Sequence, residues 1–247
     1  MSAPRWIVPD WPVASSVKAL STTKQGGVSI GAFASLNLGA HVGDDFTAVS
    51  QNRQLLTQHA AMPSTPAWLN QVHGTTVLDL SGWQGDVVSA DAAVSQQPGK
   101  VCLVMTADCL PVLFCNQQGT QVAAAHAGWR GLCDGVLEQT LAHFADPKDV
   151  LVWFGPAIGP SRFEVGAEVR AAFLAKNAGA NQAFVPQGHA KYLANIYLLA
   201  RQRLMAAGVT RFYGGDRCTV SESELFFSYR RDGQTGRMAS CIWLESV

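Results

Sequence analysis

Between residues 101 and 125 the chain carries three apolar runs, VCLVMTA, PVLFC and TQVAAA. Only a short Asp-Cys-Leu segment and an Asn-Gln-Gln-Gly loop interrupt them. Runs of this length and composition read as core strands. The four-residue loop ending in Gly119 reads as a hairpin connection. If Cys115 faces Thr120, the same register places Cys109 opposite His126, with Cα atoms roughly 4.5–5.5 Å apart. Pro111 lacks a ladder donor, so it marks a strand edge or break near the open end of the hairpin. One feature thus demands a sheet in the interior and sets a thiol beside an imidazole at its rim.

The rest of the chain fits around that sheet. Further strand candidates are AWLNQV, TTVLDL and DVLVWFGP. Helix candidates are CDGVLEQTLAHFA, VGAEVRAAFLAKNA and KYLANIYLLARQRLMAAG, the last closing on Gly208 as a C-terminal cap. Residues 21–53 are rich in Gly, Ser and Asn and read as a long irregular surface segment. That segment ends in a helix capped by Asp45 or Thr47. The C-terminal ELFFSYRRDGQTGRMASCIWLE reads as a β-hairpin around Asp232-Gly233. Strands come in runs rather than in strict alternation with helices. The fold class expected is therefore mixed α/β (α+β), with layered, largely antiparallel or mixed sheets packed between helices in an αββα-like arrangement. With no linker, repeat or low-complexity tract, residues 1–247 read as a single domain.

Composition excludes several classes of function. Lys+Arg and Asp+Glu are equal at 18 each, which is not the electrostatic footprint of a nucleic-acid or membrane-surface binder. No stretch has the length of a membrane span, and the first twenty residues lack the pattern of a signal peptide. The six cysteines form no C-x-x-C pair, which suits reduced thiols in a cytoplasm.

Chemistry concentrates near the hairpin. The sequence HAGWRG, residues 126–131, is a glycine-rich turn entering a helix, where backbone N–H groups can converge on an anion and Arg130 adds a permanent cation. Upstream, His73 stands at a strand boundary before Gly74. One Cys and two His make a plausible zinc shell with an open fourth position, and such a position is what a catalytic site needs. The residues alone leave two readings open: a metal or nucleophile site, or a buried thiol with hydrogen-bonded turn histidines.

Taken together, NQVHG, TADCLPVLF, AAHAGWRG, GPAIGP followed by FEVG, and FFSYRRDGQTGRMAS resemble one family. It is known as the multicopper polyphenol oxidase (laccase) domain, the peptidoglycan-editing factor or the purine nucleoside phosphorylase family. The resemblance runs from about residue 20 to the C-terminus. It implies a zinc held by His73, Cys109 and His126. It also implies phosphorolysis of adenosine, inosine and methylthioadenosine, deamination of adenosine, and a role in editing peptidoglycan precursors. The implied partners are purine nucleosides and phosphate, with the protein a monomer or weak homodimer. Two positions depart from the family pattern: Lys24 stands where many relatives have Arg, and Asn195 where many have Asp.

Phosphorolysis needs an anion site and stabilisation of the departing base. Deamination needs an activated water. Asp108, the acid beside a proposed ligand, is the candidate proton shuttle; the alternative is a turn carboxylate bonded to backbone N–H groups. Anion candidates are Lys24, Arg53, Arg130 and the cluster Arg230, Arg231 and Arg237. Asn37, His41 and Gln71 are candidates for ribose or base contacts, and Trp129 and Phe227 for stacking. Rival readings are a copper-dependent phenol oxidase and a metal-free cysteine hydrolase with Cys109 as nucleophile and His126 as base.

Overall fold

The computed structural model describes residues 3–245. Two sheets lie face to face between helical layers. The four-stranded sheet has the order β1 (Trp6–Ile7), β2 (Val17–Thr22), β13 (Met238–Leu244) and β5 (Val101–Thr106), antiparallel throughout. The six-stranded sheet runs β12 (Arg211–Gly214), β8 (Val150–Phe154), β6 (Leu110–Asn116), β7 (Val122–Ala127), β4 (Ala92–Ser95) and β3 (Val77–Asp79). Its two outer pairings are parallel and its inner ones antiparallel. A small third sheet joins β10 (Phe184–Gly188), β11 (Lys191–Ala194) and β9 (Glu164–Gly166).

Side-chain alternation along the central strands explains the layering. Leu113 and Cys115 of β6 meet Cys102 and Val104 of β5 and Ile242 of β13 between the two sheets. Val112 and Phe114 face the other way, onto α2 (Trp129–Asp134), α3 (Val136–Leu141), α4 (Ala167–Lys176) and α5 (Ile196–Ala206). Leu103 and Met105, on the opposite face of β5, pack beneath α1 (Phe46–His59) through Leu56. The expected αββα-like layering with antiparallel and mixed sheets is therefore present. Every residue of β5 and β7 is buried, as strands covered on both faces must be.

The expected caps also hold. The Asp45 carboxylate accepts from the Thr47 amide to start α1, and Gly208, at φ +103°, follows the end of α5. The helix candidate at 191–208 divides: residues 191–194 form β11, and Asn195 caps α5 by accepting from the Leu198 amide. The family departure at residue 195 is thus a helix cap, a role Asn and Asp share.

Two local expectations are corrected. AWLNQV is not a strand; Asn70 makes a single bridge to Ser89. The C-terminal segment is not a hairpin either. Ser228 caps a short helix, α6 (Tyr229–Asp232), and the chain then enters β13, whose partners β2 and β5 lie far away in sequence.

Candidate metal centre

The β6–β7 hairpin forms, but its register is not the one expected. Cys115 pairs with Val122 and Pro111 with His126, two residues off the anticipated pairing. The cause is Asn116. Its side-chain oxygen accepts from the amides of Thr120 and Gln121, and its own amide pairs with the Gln121 carbonyl, so Asn116 closes the turn instead of sitting in it. Cys109 nevertheless reaches His126, because it has already left β6. Asp108, at φ +92°, turns the chain just before it.

His73 completes the group. The ligand atoms of His73, Cys109 and His126 all lie within 4.8 Å of one another, with Cys109 Sγ 3.8 Å from His73 Nε2. Ligands at zinc-bond lengths in a tetrahedral shell stand roughly 3.5 Å apart, so the donor set and its spacing fit such an ion. The imidazoles of His73 and His126 meet edge to face, with centroids 4.8 Å apart. Burial alone would raise the Cys109 thiol, but the neighbouring His126 and His73 imidazoles hold it below the ordinary thiol value. Burial opposes a charge on His126 as well, yet Cys109 and Asp91 raise it.

Asp91 is the site residue that sequence reasoning missed. It is fully buried at the head of β4, and its Oδ1 lies 2.8 Å from His126 Nδ1. It also accepts from the backbone amides of Val72, His73 and Gly74. The only signal was an acid opening an otherwise apolar strand, ADAAV, where an unpartnered carboxylate would be costly.

The glycines of HAGWRG make room for their neighbours. A Cβ on Gly128 would stand 2.6 Å from His73 Cδ2 and 3.1 Å from Cys109 Sγ, and one on Gly131 would stand 2.8 Å from the Gly74 carbonyl. Both glycines admit the loop that carries His73. Arg130 is exposed and lies over the Trp129 ring.

Two cavities meet at Cys109. One, about 180 Å³, is largely apolar, with Trp129, Ile158, Phe163 and Ile196 in its wall and Arg230 at its margin. The other, about 360 Å³, is lined by His41, Gln71, His73, Thr106, His126 and Arg237. Tyr229, 63% exposed, borders both.

The remaining candidates divide between this centre and the scaffold. Asp108 lines the apolar cavity, but its carboxylate accepts from the Thr219 and Ser228 hydroxyls and the Arg230 amide. It clasps α6 to the Cys109 turn. Gln71 borders the polar cavity while its amide pairs with both the N–H and the carbonyl of Met105. Burial and the charges of Arg237 and Arg53 hold the His41 imidazole below its ordinary value. Asn37 is fully buried and spends its amide on Gly39, Asp44 and Arg237, inside the 37–44 loop. Arg53 stacks on Trp68, donates to the Leu38 carbonyl and faces a different groove. Lys24 lines neither cavity; its backbone bonds to Leu225, Ser35 and Leu36. Arg230 donates to the Glu164 carbonyl, and Arg231 ties together the carbonyls of Thr219, Val220 and Phe226. Phe227 is core, as its burial requires.

Residues 18–245 match the model of a family described as multi-copper polyphenol oxidoreductase laccase. The chain belongs to this family. Among relatives in this laccase-domain family, purine nucleoside phosphorylase YfiH of Escherichia coli K12 is 60% identical over 239 residues, covering 96% of this chain and 98% of that protein. A purine nucleoside phosphorylase of Haemophilus influenzae is 52% identical over 242 residues, covering 97% and 99%. Among solved structures, a Neisseria meningitidis protein superposes with a TM-score of 0.95 at 50% identity, covering 98% of this chain and 99% of the other. YlmD of Geobacillus stearothermophilus superposes at 0.88 and 33% identity, covering 100% and 98%.

Proposed function

We propose that this chain is a zinc-dependent purine nucleoside phosphorylase that acts on adenosine, inosine and methylthioadenosine and also deaminates adenosine. The observation that carries the reading is the His73–Cys109–His126 group standing where an apolar cavity and a polar, cation-bearing cavity meet. Two relatives that match this chain over nearly their whole length carry the name purine nucleoside phosphorylase. A bound zinc would be held by His73, Cys109 and His126 and would supply a Lewis acid beside the substrate.

In phosphorolysis a phosphate oxygen bonds to C1′ as the C1′–N9 bond breaks; N9 takes the electron pair, and the base is protonated as it leaves. The apolar cavity, with Trp129 and Phe163 in its wall, suits a purine face. The polar cavity, with Arg237 and Gln71, suits phosphate and ribose. Tyr229 borders both, so a nucleoside lying across the centre passes beside it. These groups hold the reacting atoms in line and keep the base out of water. Asp108, held by two hydroxyls and an amide, keeps this wall in place, and its Oδ1, which receives only the Thr219 hydroxyl, borders the same cavity.

One observation favours a second reading. Cys109, His126 and Asp91 form a nucleophile–base–orienter series of the kind used by metal-free cysteine hydrolases. His73 argues for the metal, since a hydrolase has no use for a second imidazole 3.8 Å from the thiol. The deciding experiment incubates purified protein with adenosine, with and without phosphate, before and after chelation. Phosphate-dependent release of adenine that is lost on chelation and restored by Zn²⁺ supports the proposal. Turnover indifferent to chelation but abolished by iodoacetamide supports the hydrolase. Oxidation of phenols on added copper, without any purine product, overturns both.

A further inference from the structure

The Asp91 carboxylate has no acceptor capacity left. A carboxylate offers about four lone-pair sites. Oδ1 receives the His73 amide at 2.9 Å and His126 Nδ1 at 2.8 Å. Oδ2 receives the Val72 amide at 3.2 Å and the Gly74 amide at 2.7 Å. Two ligand residues from different parts of the chain, one through its backbone and one through its ring, thus share one oxygen atom. Three successive N–H groups converge on the carboxylate from a loop whose central residue, His73, adopts φ +61°. A nest of this kind is an anion site, and here the anion is internal.

We propose that Asp91 is the positioning residue that sets the metal affinity of the group, by fixing the tautomer of His126 and the backbone of His73 together. The proposal rests on the reading of His73, Cys109 and His126 as metal ligands. Donation of the Nδ1 proton to Asp91 leaves the Nε2 lone pair of His126 as its metal-facing atom. The amide contacts hold His73 in a left-handed conformation that a non-glycine residue otherwise avoids. Gln71, clamped to Met105 two residues earlier, fixes the other end of the same loop.

The isosteric change Asp91→Asn separates this role from simple filling of space. An amide oxygen accepts on one side only, so the NH₂ group must face one of the two donor pairs. Facing the Oδ1 pair, it drives His126 to the Nε2–H tautomer and blocks that ligand. Facing the Oδ2 pair, it expels the 72–74 loop.

The test titrates metal-free wild type and Asp91→Asn with Co²⁺ and Zn²⁺, following the thiolate-to-cobalt charge-transfer band and the ligand-field bands. The expected result is an affinity about 10–100-fold weaker in the variant, with altered ligand-field bands. Equal affinity and an unchanged spectrum overturn the role of Asp91 while leaving the metal reading intact. Wild type that binds no metal overturns both. Should the variant fail to fold, ¹⁵N NMR of zinc-loaded wild type decides. An exchange-protected Nδ1 proton on His126, with slow exchange at amides 72–74, supports the proposal. An unprotonated Nδ1 overturns it.

Discussion

The proposed metal centre draws its three candidate ligands from two kinds of structure. His126 lies in β7, inside a six-stranded sheet buried on both faces, and Cys109 sits in the turn that leads directly into the neighbouring strand β6. His73 comes from an irregular stretch with a left-handed backbone, whose neighbour Val72 is 57% exposed. His126 is placed by ladder hydrogen bonds and core packing, and Cys109 by the start of β6 and the Asp108 turn before it. The loop ligand is placed by three separate devices: the Gln71 clamp, the Asp91 carboxylate and the space left by Gly128. Damage to the hairpin should therefore act through folding and ligation together, whereas damage to the loop should act on ligation with the fold intact.

Four outcomes test that contrast, in order of size. Cys109→Ser removes the only sulfur ligand and should reduce phosphorolysis by more than the roughly 10–100-fold expected for a residue outside the shell. The check is steady-state kinetics together with metal content. Next, Gly128→Ala drives a methyl group into His73 and, less closely, against the Cys109 sulfur. It should weaken metal binding by about 10–100-fold with little change in the circular dichroism spectrum. Wild-type affinity in that variant would mean that the loop moves freely and that the contrast is false.

How much of this was readable in the sequence follows the same division. The apolar runs and the layering were legible, because core strands carry their own pattern; Cys109 and His126 do meet, but through the turn at Asp108 rather than through the expected pairing. The register was not, since it hung on whether Asn116 lies in the turn or closes it. That is decided by side-chain bonds to Thr120 and Gln121. The C-terminal segment misled for a different reason. β13 pairs with β2 and β5, and Ser228 caps a helix where Asp-Gly suggested a turn. Asp91 was invisible because most of its partners are backbone amides of another segment, which no side-chain pattern records. His73 was legible as a candidate third ligand, and family resemblance favoured it over a hydrogen-bonded turn histidine; the geometry shows how a loop can carry it.

Smaller effects sharpen the picture. Asp108→Asn removes charge from a clasp on α6 and should lower kcat by about tenfold or less, leaving the shape of the pH–rate profile unchanged. Loss of one limb of that profile would restore Asp108 as a proton carrier. The smallest effect concerns His41, whose imidazole is held low by burial, Arg237 and Arg53. The folded state then binds fewer protons here than the unfolded chain. His41 therefore lowers stability as pH falls through about 6.5, and its effect levels off once the folded-state ring is itself protonated. NMR titration should find this ring titrating below an ordinary histidine. An upward shift would remove the two arginines from its surroundings.

The central claim is that one thiolate from the turn into the hairpin and two imidazoles, one from the hairpin and one from the loop, hold a single metal ion. X-ray absorption at the zinc edge of the loaded protein tests it most directly. The account predicts one sulfur at about 2.3 Å and two imidazole nitrogens at about 2.0–2.1 Å, with the remaining position filled by a light atom. A shell without sulfur, or with a single imidazole, would contradict it.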